Sequence, residues 1–208
     1  YGAAPSPDDQ AKLATDPSHF MDLYLMGADG SGLRRLTNEP GYDGGPFFSP
    51  DGQRIVWRHF SADGVTAEIW TMRVDGTDRR QVTRSGVMSW APFYHPSGEY
   101  IVYASNAQGM ANFELYLVDV EGRHEPVRVT HSEGFDGLPV FLPDGRRIAW
   151  ASKRTADRSA QLFIADWDHD AARRLLEQPP EVAQSGALAT GSSADPAETP
   201  CERLAALV

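Results

Sequence analysis

Asp43, Ser89 and Asp136 hold matching places in three similar stretches of a 208-residue chain, each beside an aromatic residue: Tyr42, Trp90 and Phe135. A ring of acidic and aromatic groups suits a cation, a basic peptide or a sugar. A purely structural reading stands beside it, because an aspartate in such a turn also accepts bonds from backbone N–H groups. The six histidines, His19, His59, His95, His124, His131 and His169, are scattered, with no His-x-x-x-His spacing. They read as loop residues rather than metal ligands. No serine sits in Gly-x-Ser-x-Gly, the strained turn that exposes a nucleophile. The single cysteine, Cys201, has no partner for an internal disulfide and reads as a free thiol. No catalytic constellation and no cofactor motif emerges. A divalent cation in a channel ringed by these acids is the one inorganic ligand the pattern allows.

Composition narrows the partners. Nineteen Lys and Arg stand against 29 Asp and Glu, a net charge of −10. A nucleic-acid surface needs a basic face, and anionic lipid needs basic clusters. Both partners are therefore excluded as expectations. Apolar residues make up 41% of the chain, enough for a core. No stretch approaches the roughly 20 apolar residues of a membrane-spanning helix, so no membrane insertion is expected.

The elements that must position the candidates come from internal repeats. Gly45 to Trp57, Ala91 to Tyr103 and Leu138 to Trp150 align, with Pro50, Pro96 and Pro143 spaced 46 and 47 residues apart. A second pattern recurs at Asp22–Met26, Glu68–Met72, Glu114–Val118 and Gln161–Ala165. Three of these four lead into a short strand: Arg35-Leu36-Thr37, Gln81-Val82-Thr83 and Arg128-Val129-Thr130. Each repeat thus reads as four short strands: an apolar one, a Pro-Asp-Gly-type turn, a β-branched and aromatic one, an alternating one, and a last one after Asp75-Gly76 or its counterparts. Four antiparallel strands every 46 or so residues predict all-β propeller blades. A β-sandwich would not repeat its turns and aromatics at one interval. The series Tyr24, Trp70, Tyr116, Phe163 and the series Trp57, Tyr103, Trp150 read as packing between blades.

The Ser-Pro-Asp-Gly turn followed by Arg-Ile-Val-Trp, and Met26 to Thr37 read as Met-x-x-Asp-Gly-x-x-x-Arg-x-Leu-Thr, resemble the WD-like repeats of the TolB family. So do Gly41 to Gly52, the Phe-Asp-Gly-Leu-Pro loop at 135–139 and Gln161 to Trp167. The resemblance implies a six-bladed propeller in the bacterial cell envelope, periplasmic or secreted, with a protein partner such as a peptidoglycan-associated lipoprotein. In some relatives such a propeller is joined to a zinc aminopeptidase, and some propeller enzymes hold a divalent metal on channel histidines. His59, His95 and His131 would be the candidates here.

The chain departs from that pattern in holding three blades and the last strands of a preceding one. The third blade lacks a recognisable fourth strand, and 168–178 reads as a short helix. The expected organisation is an N-terminal loop over 1–19, blades over 20–177, and a Pro/Ala/Ser-rich linker or tail over 178–208. Two open ends would leave apolar surface in water. Further chain, or a second copy in a homo-oligomer, would complete the ring. The expected function is a scaffold that binds protein or peptide at the channel mouth through Asp43, Tyr42, Ser89, Trp90, Phe135 and Asp136. The alternatives are a non-catalytic module of a larger hydrolase and a metal-dependent propeller enzyme.

Overall fold

A computed structural model describes residues 7–15 and 21–177. The 178–208 segment, with Cys201, lies outside the described residues. Strands β1 (Tyr24–Leu25) and β2 (Arg34–Arg35) pair as a two-stranded sheet. Strands β3 (Tyr42–Phe48), β4 (Arg54–Phe60), β5 (Ala67–Arg73) and β6 (Arg80–Gln81) form the first four-stranded blade. Strands β7 (Ser89–Tyr94), β8 (Tyr100–Ser105), β9 (Glu114–Asp119) and β10 (Val127–Arg128) form the second. Strands β11 (Asp136–Phe141), β12 (Arg147–Ser152) and β13 (Gln161–Asp166) form a three-stranded third. All pairings are antiparallel between neighbours in sequence, and β3, β7 and β11 stand side by side as the inner strands. The fold is therefore a run of β-propeller blades, with a half-blade leading it.

Helix α2 (His169–Glu177) takes the place of a fourth strand after β13, inside the segment read as helical. Asp168 caps it, its Oδ1 accepting the Ala171 N–H at 2.9 Å. The 1–19 segment needs correction. Helix α1 (Pro7–Thr15) lies within the expected loop. Pro7 suits a first helical position, Ala11 and Lys12 favour helix, and Asp8 pairs with Lys12 one turn on at 2.7 Å.

Each junction between blades has its own core. Leu23 and Leu36 of the half-blade meet Ile55, Trp57 and Met72. Val56, Ile69 and Val82 of the first blade meet Ile101, Tyr103, Tyr116 and Val118 of the second. Val102, Leu115 and Leu117 on its other side meet Ile148 and Trp150 of the third, with Ala172 and Leu176 of α2 closing the cluster. Strands β8 and β9 are buried along their whole length because both faces are covered.

A second device repeats with the blades. Thr37, Thr83 and Thr130 each accept the N–H of the residue after the acid of their own blade, at 2.9, 2.8 and 2.9 Å. Each threonine hydroxyl in turn donates to that acid, Asp22, Glu68 or Glu114. Glu114 is fully buried and is also paired with Arg128 at 2.9 Å. Gln161, at the matching place in the third blade, precedes no such threonine, in keeping with its missing fourth strand.

Every inner strand also carries a bulge at one equivalent residue. Pairing slips between Gly44 and Phe47, Trp90 and Phe93, and Gly137 and Val140. The first of the two residues inside each slip is left-handed: Gly45 at φ 61°, Ala91 at 51° and Leu138 at 56°. Ala91 and Leu138 hold that conformation at a steric cost that the surrounding pairings must overcome.

Candidate functional site

Asp43, Ser89 and Asp136 begin or nearly begin the three inner strands, facing His59, Ser105 and Ser152 of the second strands. They do not form an open acidic ring. Asp43 is 4% exposed, Asp136 1% and Ser89 0%. Nor do the aspartates cap backbone turns. Asp43 Oδ1 accepts from Trp57 Nε1 at 2.7 Å and lies 2.8 Å from His59 Nδ1. Asp136 Oδ2 accepts from Arg154 Nη2 at 2.7 Å. Ser89 Oγ shares a bond with Ser85 Oγ at 3.1 Å. These small polar residues lie behind the surface and hold other side chains.

Of the aromatic neighbours Tyr42 faces outward, and Trp90 and Phe135 are half-buried. Tyr42 is 39% exposed and stacks obliquely on Phe60 at 5.7 Å. The Arg58 guanidinium lies 5.4 Å from the ring centres of both Tyr42 and Trp90, bridging the first and second blades. Trp90 meets Phe113 edge-on at 6.2 Å, and Phe113 meets Phe135 at 5.9 Å, reaching the third blade. The parallel bridge between Phe113 and Phe135 ties that last step together through the backbone. Phe60, Tyr42, Arg58, Trp90, Phe113 and Phe135 thus form one arc across three blades at the same end of the inner strands. Beside it, Met21, Pro40, Tyr42 and Phe60 help line a depression of about 550 Å³.

Glycine explains how the rings are seated. A Cβ on Gly44 would strike the Tyr42 ring, and one on Gly137 would strike the Phe135 ring at 2.5 Å. In the Tyr-Asp-Gly and Phe-Asp-Gly stretches each ring folds over the backbone two residues on. In the second blade Trp90 itself occupies the glycine's place.

Behind Tyr42, the hydrogen bond to Asp43 raises the His59 pKa above its ordinary value, against the lowering effect of burial. His59, Asp43, Glu39, Arg79, Trp57 and Trp70 line a narrow cleft there. His95 lies elsewhere, 4% exposed, stacked on His169 at 4.6 Å and 7°. Its Nε2 faces the Gly145 carbonyl at 3.1 Å, and its Nδ1 accepts the Ser97 N–H at 3.1 Å. Among the described residues no group of three His, Cys, Asp or Glu side chains converges as a metal site would require, and His59, His95 and His131 are not brought together.

Arg58, Phe60 and Phe113 escaped the reading of the sequence, although a signal for two of them is present. Arg58 stands where the other blades have Ala104 and Ala151, and Phe113 where they have Ala67 and Ala160.

A family model described as TolB beta propeller domain matches residues 3–112, half of the chain or more. Among solved structures, TolB from Acinetobacter baumannii is similar at 22% identity and a TM-score of 0.60, over 71% of this chain and 35% of that one. A putative TolB from Agrobacterium tumefaciens is similar at 25% identity and a TM-score of 0.59, over 70% and 52%. Hydrazine synthase from Kuenenia stuttgartiensis shares the fold at 17% identity and a TM-score of 0.58, over 72% and 27%. The chain spans about a third to a half of the length of the two TolB structures. No curated protein matches the chain.

Proposed function

The chain belongs to the TolB β-propeller domain family, and from that premise we propose that it works by binding, holding a segment of a protein or peptide against the arc at the mouth of its inner strands. The observation that carries this reading is the continuity of Tyr42, Arg58, Trp90, Phe113 and Phe135 across three blades. Aromatic rings and an arginine are the side chains that contribute most to protein recognition, because they bury much area with few rotamers to freeze. Asp43, Ser89 and Asp136 serve this site from behind: the aspartates fix His59 and Arg154, and the serine bonds Ser85, whose hydroxyl also reaches the Glu68 carboxylate. We place the protein in the periplasm or outside the cell, on the strength of the family. No helix among the described residues is long and apolar enough to cross a membrane.

Selection of displayed random peptides on the purified chain tests the reading. Recovered peptides should bind Tyr42→Ala and Phe135→Leu at least about ten-fold more weakly, ~1.4 kcal/mol, while both variants keep the parent's thermal stability. Peptides that bind both variants as tightly as the parent would take the arc out of the function.

A further inference from the structure

Arg58 is unlike the other half-buried strand arginines. Arg35, Arg54 and Arg128 each reach a carboxylate, those of Asp22, Asp78 and Glu114. Arg58 does not: among the described residues its hydrogen bond is to the Tyr42 hydroxyl, at a long 3.4 Å. Its guanidinium is held by other means. Two rings flank it at 5.4 Å, and the backbone is cleared for it, since a Cβ on Gly45 would lie 2.4 Å from its Nη1. Stacking and clearance fix the group in place and leave its charge unanswered.

Two buried donors mark what is missing. Arg58 Nε and Trp90 Nε1 are both shielded from solvent and have no hydrogen-bond partner. Neither atom can accept, so only an acceptor can satisfy them. A half-buried cation with unused donors carries a desolvation cost that a bound anion offsets.

We propose that Arg58, held beside Tyr42 and Trp90, is a carboxylate-binding site, with Trp90 Nε1 as a further donor. It rests on the reading of the arc as a ligand site and names the chemistry of that ligand. A guanidinium held beside two rings and with a free Nε–H meets a planar carboxylate with paired hydrogen bonds. A chain of net charge −10 also favours a singly charged group over a doubly charged phosphate. The carboxylate comes either from an acidic side chain or from a chain terminus.

The test follows the side-chain N–H signals of Arg58 and Trp90 in 15N-labelled protein during titration with benzoate, and with benzamide as its neutral isostere. Benzoate should shift both signals to saturation, and benzamide should leave them in place. In Arg58→Gln the Trp90 response should vanish, and Arg58→Lys should weaken it about ten-fold, because lysine keeps the charge and loses the fork. Equal responses to benzoate and benzamide, or a full Trp90 response in Arg58→Gln, would overturn the site. Should Arg58→Gln fail to fold, the comparison on the parent protein still decides. Triglycine as free acid and as amide, and N-acetyl-Gly-Glu-Gly-amide, then separate the two sources; a response to either supports the proposal, and a response equal for acid and amide counts against it. The two readings fail separately. Displayed peptides that need Trp90 but bind Arg58→Gln unchanged remove the carboxylate and keep the binding module. Benzoate bound at Arg58, with peptides indifferent to the arc, does the reverse.

Discussion

His59 and His95 are placed so that their titrations move in opposite directions. Asp43 bonds His59 and raises its pKa, and burial lowers that of His95, whose two nitrogens already serve Ser97 and Gly145. The signs follow by linkage. The His59 contribution is complete below the ordinary histidine value of about 6.5 and is lost as pH rises through its higher folded value. His95 contributes above that ordinary value, and its contribution is lost as pH falls toward its lower folded value. In proton-detected titration, Asp43→Asn should lower the His59 pKa, since its largest raising contact is then lost while burial still lowers it and Glu39 and Asp22 alone still raise it. An unchanged His59 in that variant would mean that Asp43 does not set its charge.

At the scale of elements, the threonine of each blade satisfies a backbone N–H of the third strand and a buried acid at once. Thr130→Val should cost about 1–3 kcal/mol in denaturant unfolding, because it leaves the Leu115 N–H and part of Glu114 unpaired. A loss below about 0.5 kcal/mol would show that these bonds are replaced by water. The strands, their order and the helix after Trp167 were legible in the chain, because blade strands and turns repeat with simple hydrophobic and turn rules. The geometry of the candidate site was legible in part. Tyr42, Trp90 and Phe135 stood out as aromatics beside a repeated polar position. The burial of Asp43 and Asp136 did not show, since their partners Trp57, His59 and Arg154 lie 14 to 18 residues away across paired strands. Helix α1 was missed for a different reason: flanking prolines and a polar composition masked a short helical run. The arc is built mainly where one blade departs from the others: Arg58 and Phe113 in place of alanine, Trp90 in place of glycine. Repetition marks the scaffold, and the exceptions to it mark the proposed recognition surface.

Across the whole molecule, Leu162 and Ile164 occupy the places that Leu115 and Leu117 hold at an internal junction, yet are 73% and 59% exposed. At the other end Met26, the counterpart of Val118, is 61% exposed. Every internal junction joins these two kinds of surface, so the two ends of the arc complement each other in kind. Light scattering should show concentration-dependent association between copies, and Leu162→Glu with Ile164→Glu should reduce it while the blades stay folded. A parent chain that is monomeric at every concentration would set self-association aside.

The Tyr42-to-Phe135 arc crosses two junctions that are otherwise joined by side-chain packing and a few backbone bridges. In a closed ring a blade leaves only if two junctions break together; in an open fan the outermost junction can break alone. On the proposed function, a ligand lying along the arc would act as a tie-bar, and whatever parts the blades would also release it. Affinity and cohesion would then be one quantity measured twice: saturating ligand should raise the melting temperature by mass action, and substitutions buried in the junctions at Val56 or Leu117, which are not part of the arc, should loosen the grip on the bound segment.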